Sequence, residues 1–475
     1  MNWQGLAVEV VWWVNHAVLV YFVVLNTHLL VLLLLGFHAT RRAEAMVHER
    51  DLRSLLQSSL MPPVSIIVPA HNESLNIAES VSSLMQLRYP EFELVVVNDG
   101  STDDTLDILI ERFQLLPIAR TFEQSIPCAP IQTIYESPRF QRLVVVDKVN
   151  GGKSDALNAG INVSRYPLFC AIDGDSLLED DALLRVARPF HEFPGSVIAV
   201  GGTIRIANGS EVQAGRIVRL KLSRKLLPRI QVVEYLRAFL FGRMGWSALG
   251  SLLLISGAFG LFEKRAVVDA GGYATDSVGE DMELLIRMHR TLRDSGRDYQ
   301  IGFVPEPVCW TEAPESLGAL RRQRERWQRG LIDTFIRHFG MIGRPRYGTI
   351  GLLAMPAFLV FEMLAPLVEI SGFVMVPLSY AFGLLDTAFM LAFLSAAILY
   401  SVFVSVLAIF LDDLAFRRYT GIGQLLSLVS AAVVEAVLLR PLTAFWRTCA
   451  FWKHYRGDTS WGHMERKGIA TAPSR

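Results

Sequence analysis

The chain has 475 residues, 51% of them hydrophobic, and a mean hydropathy of +0.33, which is high for a soluble protein and points to membrane spans. Lys+Arg and Asp+Glu balance at 46 each, so net charge argues against a nucleic-acid partner. The four cysteines (Cys128, Cys170, Cys309, Cys449) lie far apart with no CxxC spacing, which argues against a structural zinc site or a disulfide framework.

Residues 7–36 are almost continuously apolar, longer than a signal-peptide core and without a small-residue cleavage site after them. About 20 apolar residues span a bilayer. The run therefore reads as one long tilted span, or as a span plus an interfacial turn near Asn15-His16 or Asn26-Thr27-His28. Arg41, Arg42, Arg50 and Arg53 follow, so the positive-inside rule places this flank in the cytoplasm and the N-terminus outside. Residues 39–60 read as a short amphipathic helix lying on the inner surface or on the next domain.

Val64–Ala70 is a short β-branched run, hence a buried strand. Asn72–Asn76 opens a helix whose apolar positions Ile77, Val81 and Leu84 share a face, and Glu93–Asn98 is a second strand ending in Asp99-Gly-Ser-Thr-Asp103. Strands alternating with helices predict a parallel sheet with ligands at the carboxyl ends of its strands, where the His71-Asn-Glu73 and Asp99 turns fall. Four prolines make 114–142 an inserted loop, with a short hairpin at Ile131–Glu136. Leu143–Asp147 is the next strand and leads into Asn150-Gly-Gly-Lys153, a turn whose glycines let backbone N–H groups approach phosphate; P-loop spacing is absent. The strand Leu168–Ile172 runs into Asp173-Gly-Asp175, two hard oxygen donors at one strand end that suit Mg²⁺ or Mn²⁺ bridging a diphosphate.

Further on, Gly201–Arg205 reads as a strand and turn near an acceptor, and Arg229–Met244 as an amphipathic segment lying against the membrane or cradling acceptor. Leu252–Phe262 is too short to span and reads as a buried strand. Gly271-Gly-Tyr273 precedes a helix carrying Glu280-Asp281, with Leu284, Leu285 and Met288 facing inward. Gln323-Arg-Glu-Arg-Trp327 joins the soluble-looking half to the apolar half; alone it is an ordinary basic helix face. Asp333–Arg346 reads as an interfacial helix. Residues 349–383, kinked at Pro356, Pro366 and Pro377, and 388–411 are long enough to span, and 422–446 is a weaker third candidate because it holds Glu435 and Arg440. Three crossings place the basic tail (Arg447, Lys453, Arg456, Arg466, Lys467) outside, against the positive-inside rule. Glu362, Glu369 and Glu435 either line a polar path for an emerging chain or pair with Arg440.

The set Val68-Pro-Ala-His-Asn-Glu73, Asn98-Asp-Gly-Ser-Thr102, Gly151-Gly-Lys153, Asp173-Gly-Asp175, Gly279-Glu-Asp281 and Gln323-x-x-Arg326-Trp327, in this order over residues 62–330, resembles the processive, inverting family-2 membrane glycosyltransferases. These include the cellulose, chitin, hyaluronan and poly-β-1,6-N-acetylglucosamine synthases; Ile255–Phe259 and Val304–Pro307 are most similar to the last branch. The resemblance implies a GT-A type α/β domain, Rossmann-like with a mostly parallel sheet, inserted between N- and C-terminal transmembrane helices. It implies that Asp281 is the general base, and that Glu73, Asp99, Lys153, Asp173, Asp175 and Arg326 bind a nucleotide sugar. It implies as well that Glu280, Gln323 and Trp327 bind acceptor and that Asp175 with Asp173 takes Mg²⁺ or Mn²⁺. The implied partners are a UDP-sugar, UDP-N-acetylglucosamine favoured, a growing polysaccharide or lipid acceptor, and membrane lipids, with room for an accessory membrane subunit. The expected location is the inner or plasma membrane, multi-pass, with a cytoplasmic catalytic domain.

Two departures stand out: Gly279 where relatives often carry Thr, and Asn98 where many carry Asp. The expected layout is a transmembrane region (1–38), a connector (39–61), the catalytic domain (62–330), an interfacial helix (331–348), a second transmembrane region (349–446) and the tail (447–475). Rival readings are a transferase adding one sugar to a polyprenyl lipid and a non-catalytic nucleotide-sugar-binding scaffold. A transporter is disfavoured by the large soluble-looking stretch between spans.

Overall fold

In the computed structural model, which describes residues 3–46, 54–56, 58, 60–213, 215–419 and 421–456, the β-branched runs become the centre of one large sheet. Its strands are β1 (Val64–Ala70), β2 (Phe92–Asp99), β3 (Leu116–Ile118), β4 (Ile131–Glu136), β5 (Leu143–Lys148), β6 (Leu168–Ile172), β7 (Leu177–Leu178), β8 (Val197–Ile206), β11 (Phe259–Glu263) and β12 (Gln300–Thr311). A separate hairpin pairs β9 (Glu211–Gln213) with β10 (Arg216–Arg219). The order in the large sheet is β3-β4-β5-β2-β1-β6-β11-β8-β12-β7. The central pairs β5-β2, β2-β1 and β1-β6 are parallel, as is β8-β12, while β11 runs antiparallel between β6 and β8. β1, β2, β5 and β6 are buried almost throughout, as both-face-covered parallel strands of Val, Ile and Leu must be.

This is the expected mostly parallel α/β class, and its register brings the chemistry together. Ala70 pairs with Asn98 and Asn98 with Asp147, so the turns after β1, β2 and β5 leave the sheet side by side. β6 adds Asp173 on the same edge. The helix Lys153–Val163 lies close enough on β1 that a Cβ at Gly160 would meet Ile67 at 2.3 Å.

Several expectations need correction. The helix after β1 starts at Ile77, not within 72–76, because Asn72 takes a left-handed φ of 54° and forms a turn instead. In 114–142, Ile131–Glu136 is not a hairpin but one strand held between β3 and β5. Only Phe259–Glu263 of the run 252–262 is a strand. Arg229–Met244 is not a segment of its own, and part of it lines a large cavity rather than lying flat against a membrane. It belongs to a helix spanning Leu226–Ala248, π-helical over Tyr235–Gly242, that packs against the N-terminal helix, where Gly245 meets Leu32. Asp333–Arg346 is not a helix of its own either: Leu317–His338 runs unbroken through Gly330, N-capped by the Ser316 hydroxyl, and two short 3-10 turns follow.

The apolar half is helical. Val8–Ala45, Thr387–Phe416 and Ile422–Tyr455 are long and apolar enough to cross a membrane. Ile350–Met363 and Ala365–Ala381 form a further pair bent by 41°, close to Pro366, which lacks the N–H a straight helix uses. The N-terminal helix is continuous from Trp3 to Met46, without the turn considered at Asn15 or Asn26. Those side chains bond across to other helices: Asn15 donates to Ser379 Oγ (3.0 Å) and Asn26 to the Ala396 carbonyl (3.0 Å). This helix also absorbs the first residues of the 39–60 connector; 47–53, 57 and 59, like 457–475 of the tail, lie outside the described residues. The charges of the third C-terminal candidate are paired, Glu435 with Arg237 (2.6 Å) and Arg440 with Glu369 (2.8 Å), so the helix continues past 446 to Tyr455. A buried ion pair, Arg205 of β8 with Asp412 (2.5 Å), fastens the sheet to Thr387–Phe416.

Candidate active site

A cavity of about 1920 Å³ opens at the carboxyl edge of the sheet and extends to the apolar helices. That exceeds the roughly 300–1,000 Å³ of an ordinary small-molecule pocket and leaves room for two ligands together. All ten residues singled out from the sequence line it: Glu73, Asp99, Lys153, Asp173, Asp175, Glu280, Asp281, Gln323, Arg326 and Trp327.

One wall is built by strand ends. The Asp99 carboxylate is saturated by its own chain, accepting from Lys148 Nζ (2.6 Å), Gly151 N (3.0 Å) and Gly152 N (2.7 Å). It thereby fixes the Gly151-Gly152 turn, where Gly152 needs φ +87°. Lys148 is fully buried between Asp99 and Asp155 (2.6 Å to each). The sequence reading missed Lys148, although a lysine ending a buried strand was the signal; in the β2-β5 register it lies directly opposite Asp99. The same register accounts for Asn98: its amide donates to Asp147 (2.7 Å), where an aspartate would set two carboxylates face to face.

Next to this wall, Lys153 Nζ contacts Asp173 (2.6 Å), Glu280 (3.4 Å) and the Gly257 carbonyl (3.3 Å). Burial favours its neutral form, but Asp173 and Glu280 outweigh burial and push its pKa up, so it stays an ammonium. Burial, reinforced by Asp173, pushes the Asp175 carboxyl up to about 6. Among the described residues no group of three or more His, Cys, Asp or Glu forms a metal cage. Two carboxylates nevertheless fit Mg²⁺ or Mn²⁺, because such ions complete their shell with water and phosphate oxygens.

Asp281 lies in the first turn of Glu280–Asp294. Its carboxylate is aimed by two backbone donors, Gly257 N to Oδ2 (2.9 Å) and Met282 N to Oδ1 (2.8 Å). Glu283, another carboxylate two residues further along the helix, is outside the cavity lining. It accepts from Arg287 (2.7 Å) and His338 (3.1 Å); burial raises its pKa, but these two overcome burial and hold it at about 2. Gly279 has a steric reason: a Cβ there would lie 3.0 Å from Gly330 Cα, and one on Gly330 2.8 Å from Gly279 Cα. The two glycines let the Asp281 turn and the Gln323–Trp327 helix touch backbone to backbone.

The opposite wall is aromatic. Phe239 lies 4.0 Å from Tyr235 and 6.0 Å from Trp327 between ring centroids, and Arg324, paired with Glu234 (2.5 Å), covers Trp327. Gln323 lines the cavity with a buried Oε1 that has no partner among the described residues. At the membrane end, Glu362 and Arg447 face each other at 3.7 Å. Glu369 and Glu435 are outside the lining and bound to arginines, which favours pairing over a polar path for these two.

The sequence profile of Glycosyl transferase family group 2 matches residues 168–411, and that of Glycosyl transferase family 2 matches 65–127. Poly-beta-1,6-N-acetyl-D-glucosamine synthase of Staphylococcus epidermidis is 31% identical over 277 residues, 58% of this chain and 56% of that protein. The synthase of the same name from Staphylococcus aureus (strain COL) is 30% identical over 279 residues, again 58% and 56%. The chain thus spans little more than half the length of these relatives. Among solved structures, a mannosyltransferase from Pyrobaculum calidifontis in complex with GDP-Man and Mn²⁺ is similar at a TM-score of 0.49 and 19% identity, covering 88% of this chain and 99% of that one. S. aureus TarS 1-349 in complex with UDP-GlcNAc is similar at 0.37 and 14%, covering 83% and 92%.

Proposed function

The chain belongs to Glycosyl transferase family group 2, and we propose that it is a membrane-embedded inverting enzyme that elongates a β-linked polysaccharide from UDP-N-acetylglucosamine. The observation that carries this reading is the placement of Asp281. It is one carboxylate, aimed by two backbone donors, in the same cavity as a carboxylate-lysine cluster and an aromatic wall. The relatives, named for polymers of N-acetylglucosamine, support the choice of donor and product.

In this account the nucleoside rests on the turns after β1, β2 and β5. Asp99, already bonded, acts by holding the Gly151-Gly152 turn, and Glu73 borders the pocket. The diphosphate lies near Lys153, Arg326, Asp173 and Asp175. A divalent cation held by Asp175 and Asp173 would add positive charge beside the leaving diphosphate. Asp281 takes the proton from an acceptor hydroxyl while that oxygen bonds to the anomeric carbon; the bond from that carbon to the phosphate oxygen breaks, and its electron pair leaves with UDP. Lys153 and Arg326 stabilise the departing charge. A single base suffices, since inversion in one displacement needs no covalent sugar-enzyme bond. Trp327 and Gln323 seat the acceptor, with Glu280 bordering it.

Residues 62–330 are the catalytic unit on the cytoplasmic side, and the apolar helices embed it in the cell membrane. The cavity's extension to Glu362 and Arg447 supports a path for the product into that region. The test is product size. Purified protein given UDP-N-acetyl[¹⁴C]glucosamine with Mg²⁺ or Mn²⁺ is expected to make long labelled polymer that EDTA prevents. Label confined to a lipid-sized product would instead establish single-sugar transfer.

A further inference from the structure

Arg243 has no part in the account so far, yet among the described residues no carboxylate is paired with it. It is 6% exposed and lines the cavity. Its Nη1 is buried and has no hydrogen-bond partner among the described residues. Buried polar groups in folded proteins nearly always have partners, and a guanidinium carries five donors and no acceptor. Arginines nearby are paired with carboxylates, Arg237 with Glu435, Arg324 with Glu234 and Arg205 with Asp412, although the Nε of Arg205 and of Arg324 also lacks a partner among the described residues.

The side chain is nevertheless held in place. Its guanidinium lies 4.1 Å from the centre of the Phe239 ring, whose other neighbours are Tyr235 and Trp327. Its helix is pinned to the N-terminal helix by the close approach of Gly245 to Leu32, so Arg243 stands on the membrane-facing wall, away from the nucleotide-side turns. Burial pulls its pKa down to about 10, with Asp281 and Tyr235 opposing, so it remains a cation and feels the Asp281 carboxylate. Spare donors accept any oxygen acceptor, and the aromatic wall around them favours one that also presents C–H faces, as a sugar ring does.

We propose that Arg243 is an acceptor-binding residue, donating from its guanidinium to a hydroxyl or acyl oxygen of the terminal acceptor sugar and so holding that sugar beside Asp281. The proposal rests on the glycosyltransferase reading above and adds to it a residue that none of the sequence motifs contains.

The test uses the full-length protein in detergent with β-1,6-linked N-acetylglucosamine oligomers as acceptors. Arg243→Met keeps the stack on Phe239 and removes the donors. It is expected to raise the KM for oligomer by about tenfold to a hundredfold, the scale of a lost hydrogen bond to a charged group. The UDP affinity, read by calorimetry, is expected to stay within about twofold, and Arg243→Lys to fall between Met and wild type on the same scale. A wild-type KM for oligomer in Arg243→Met would overturn the proposal, as would an equal loss of UDP affinity, which would put Arg243 on the donor side. If Arg243→Met does not bind UDP at all and is misfolded, Arg243→Lys decides: an unchanged oligomer KM there sinks the idea. Wild-type protein that binds UDP but extends no oligomer is a different result, and it counts against the polymerase reading itself.

Discussion

The two walls of the cavity are made in opposite ways. On the nucleotide side, adjacent parallel strands end together, and polar groups there are engaged by groups a register position or a turn away, Asp99 by Lys148 and Gly151-Gly152 and Asn98 by Asp147, while Lys153 reaches across the strand ends to Asp173. On the membrane-facing side the parts come from three distant stretches, and Gln323 Oε1, Arg324 Nε and Arg243 Nη1 have no partner among the described residues, against Asn98 Oδ1 on the strand-end side. A preformed wall whose charges are paired suits a ligand that arrives in one fixed shape. An aromatic wall with spare donors suits a sugar chain that must bind, be extended and move on. Asp281 lines the same cavity, aimed by two backbone donors.

If that division is right, damage to each part should read out differently. The largest effect is expected for Asp281→Asn, which keeps shape and loses the base. Transfer should fall by about 10²–10⁴-fold, read as labelled polymer per minute. Lys148→Met comes next. It leaves Asp99 and Asp155 buried together without their cation, a loss on the order of 3–5 kcal/mol. The expected result is a markedly lower thermal midpoint and a raised donor KM, while oligomer KM in the surviving folded fraction is unchanged.

Gly330→Ala tests the contact between the helices. Its Cβ would lie 2.8 Å from Gly279 Cα, so the Asp281 turn must shift. A displacement of this kind is expected to lower kcat by about tenfold to a hundredfold, with UDP affinity preserved. An unchanged kcat would mean that the two backbones have slack.

The smallest effect is electrostatic. Glu283 is held at about 2 against an ordinary 4.5. Its folded pKa is depressed, so its stabilisation is complete above about 4.5 and is lost as pH falls toward 2. The shift corresponds to at most on the order of 3 kcal/mol. Glu283→Gln should therefore lower the thermal midpoint at neutral pH and flatten its decline between pH 4.5 and 2.5. A parallel decline in both proteins would count against the assignment.

The nucleotide wall was legible in the sequence because strand-end chemistry is local. A β-branched run followed by Asp99-Gly or Asp173-Gly-Asp175 announces both the strand and its exposed end. Even Lys148 was within reach, had the pairing of β2 with β5 been drawn. The far wall was legible only in part: Gln323 and Trp327 stand in a motif and Arg229–Met244 reads, as one of two alternatives, as an acceptor cradle, but what Arg243 faces depends on how Leu226–Ala248 packs against the N-terminal helix. Polarity misled at Gly330, where composition changes but the helix does not. Asn15 and Asn26 misled for a related reason: a polar residue in an apolar run reads as a break until a neighbouring helix supplies its partner. Likewise Glu435 and Arg440 weaken a span only if their partners Arg237 and Glu369 are unseen.

The most direct test of the two-wall account is UDP binding, titrated calorimetrically with Mg²⁺ into wild type, Asp281→Asn and Asp175→Asn. The account predicts that Asp281→Asn binds UDP as wild type does and that Asp175→Asn binds it at least about tenfold more weakly, a loss of roughly 1.4 kcal/mol. Wild-type affinity in Asp175→Asn together with a loss in Asp281→Asn would reverse the two roles and contradict the assignment of base and donor wall.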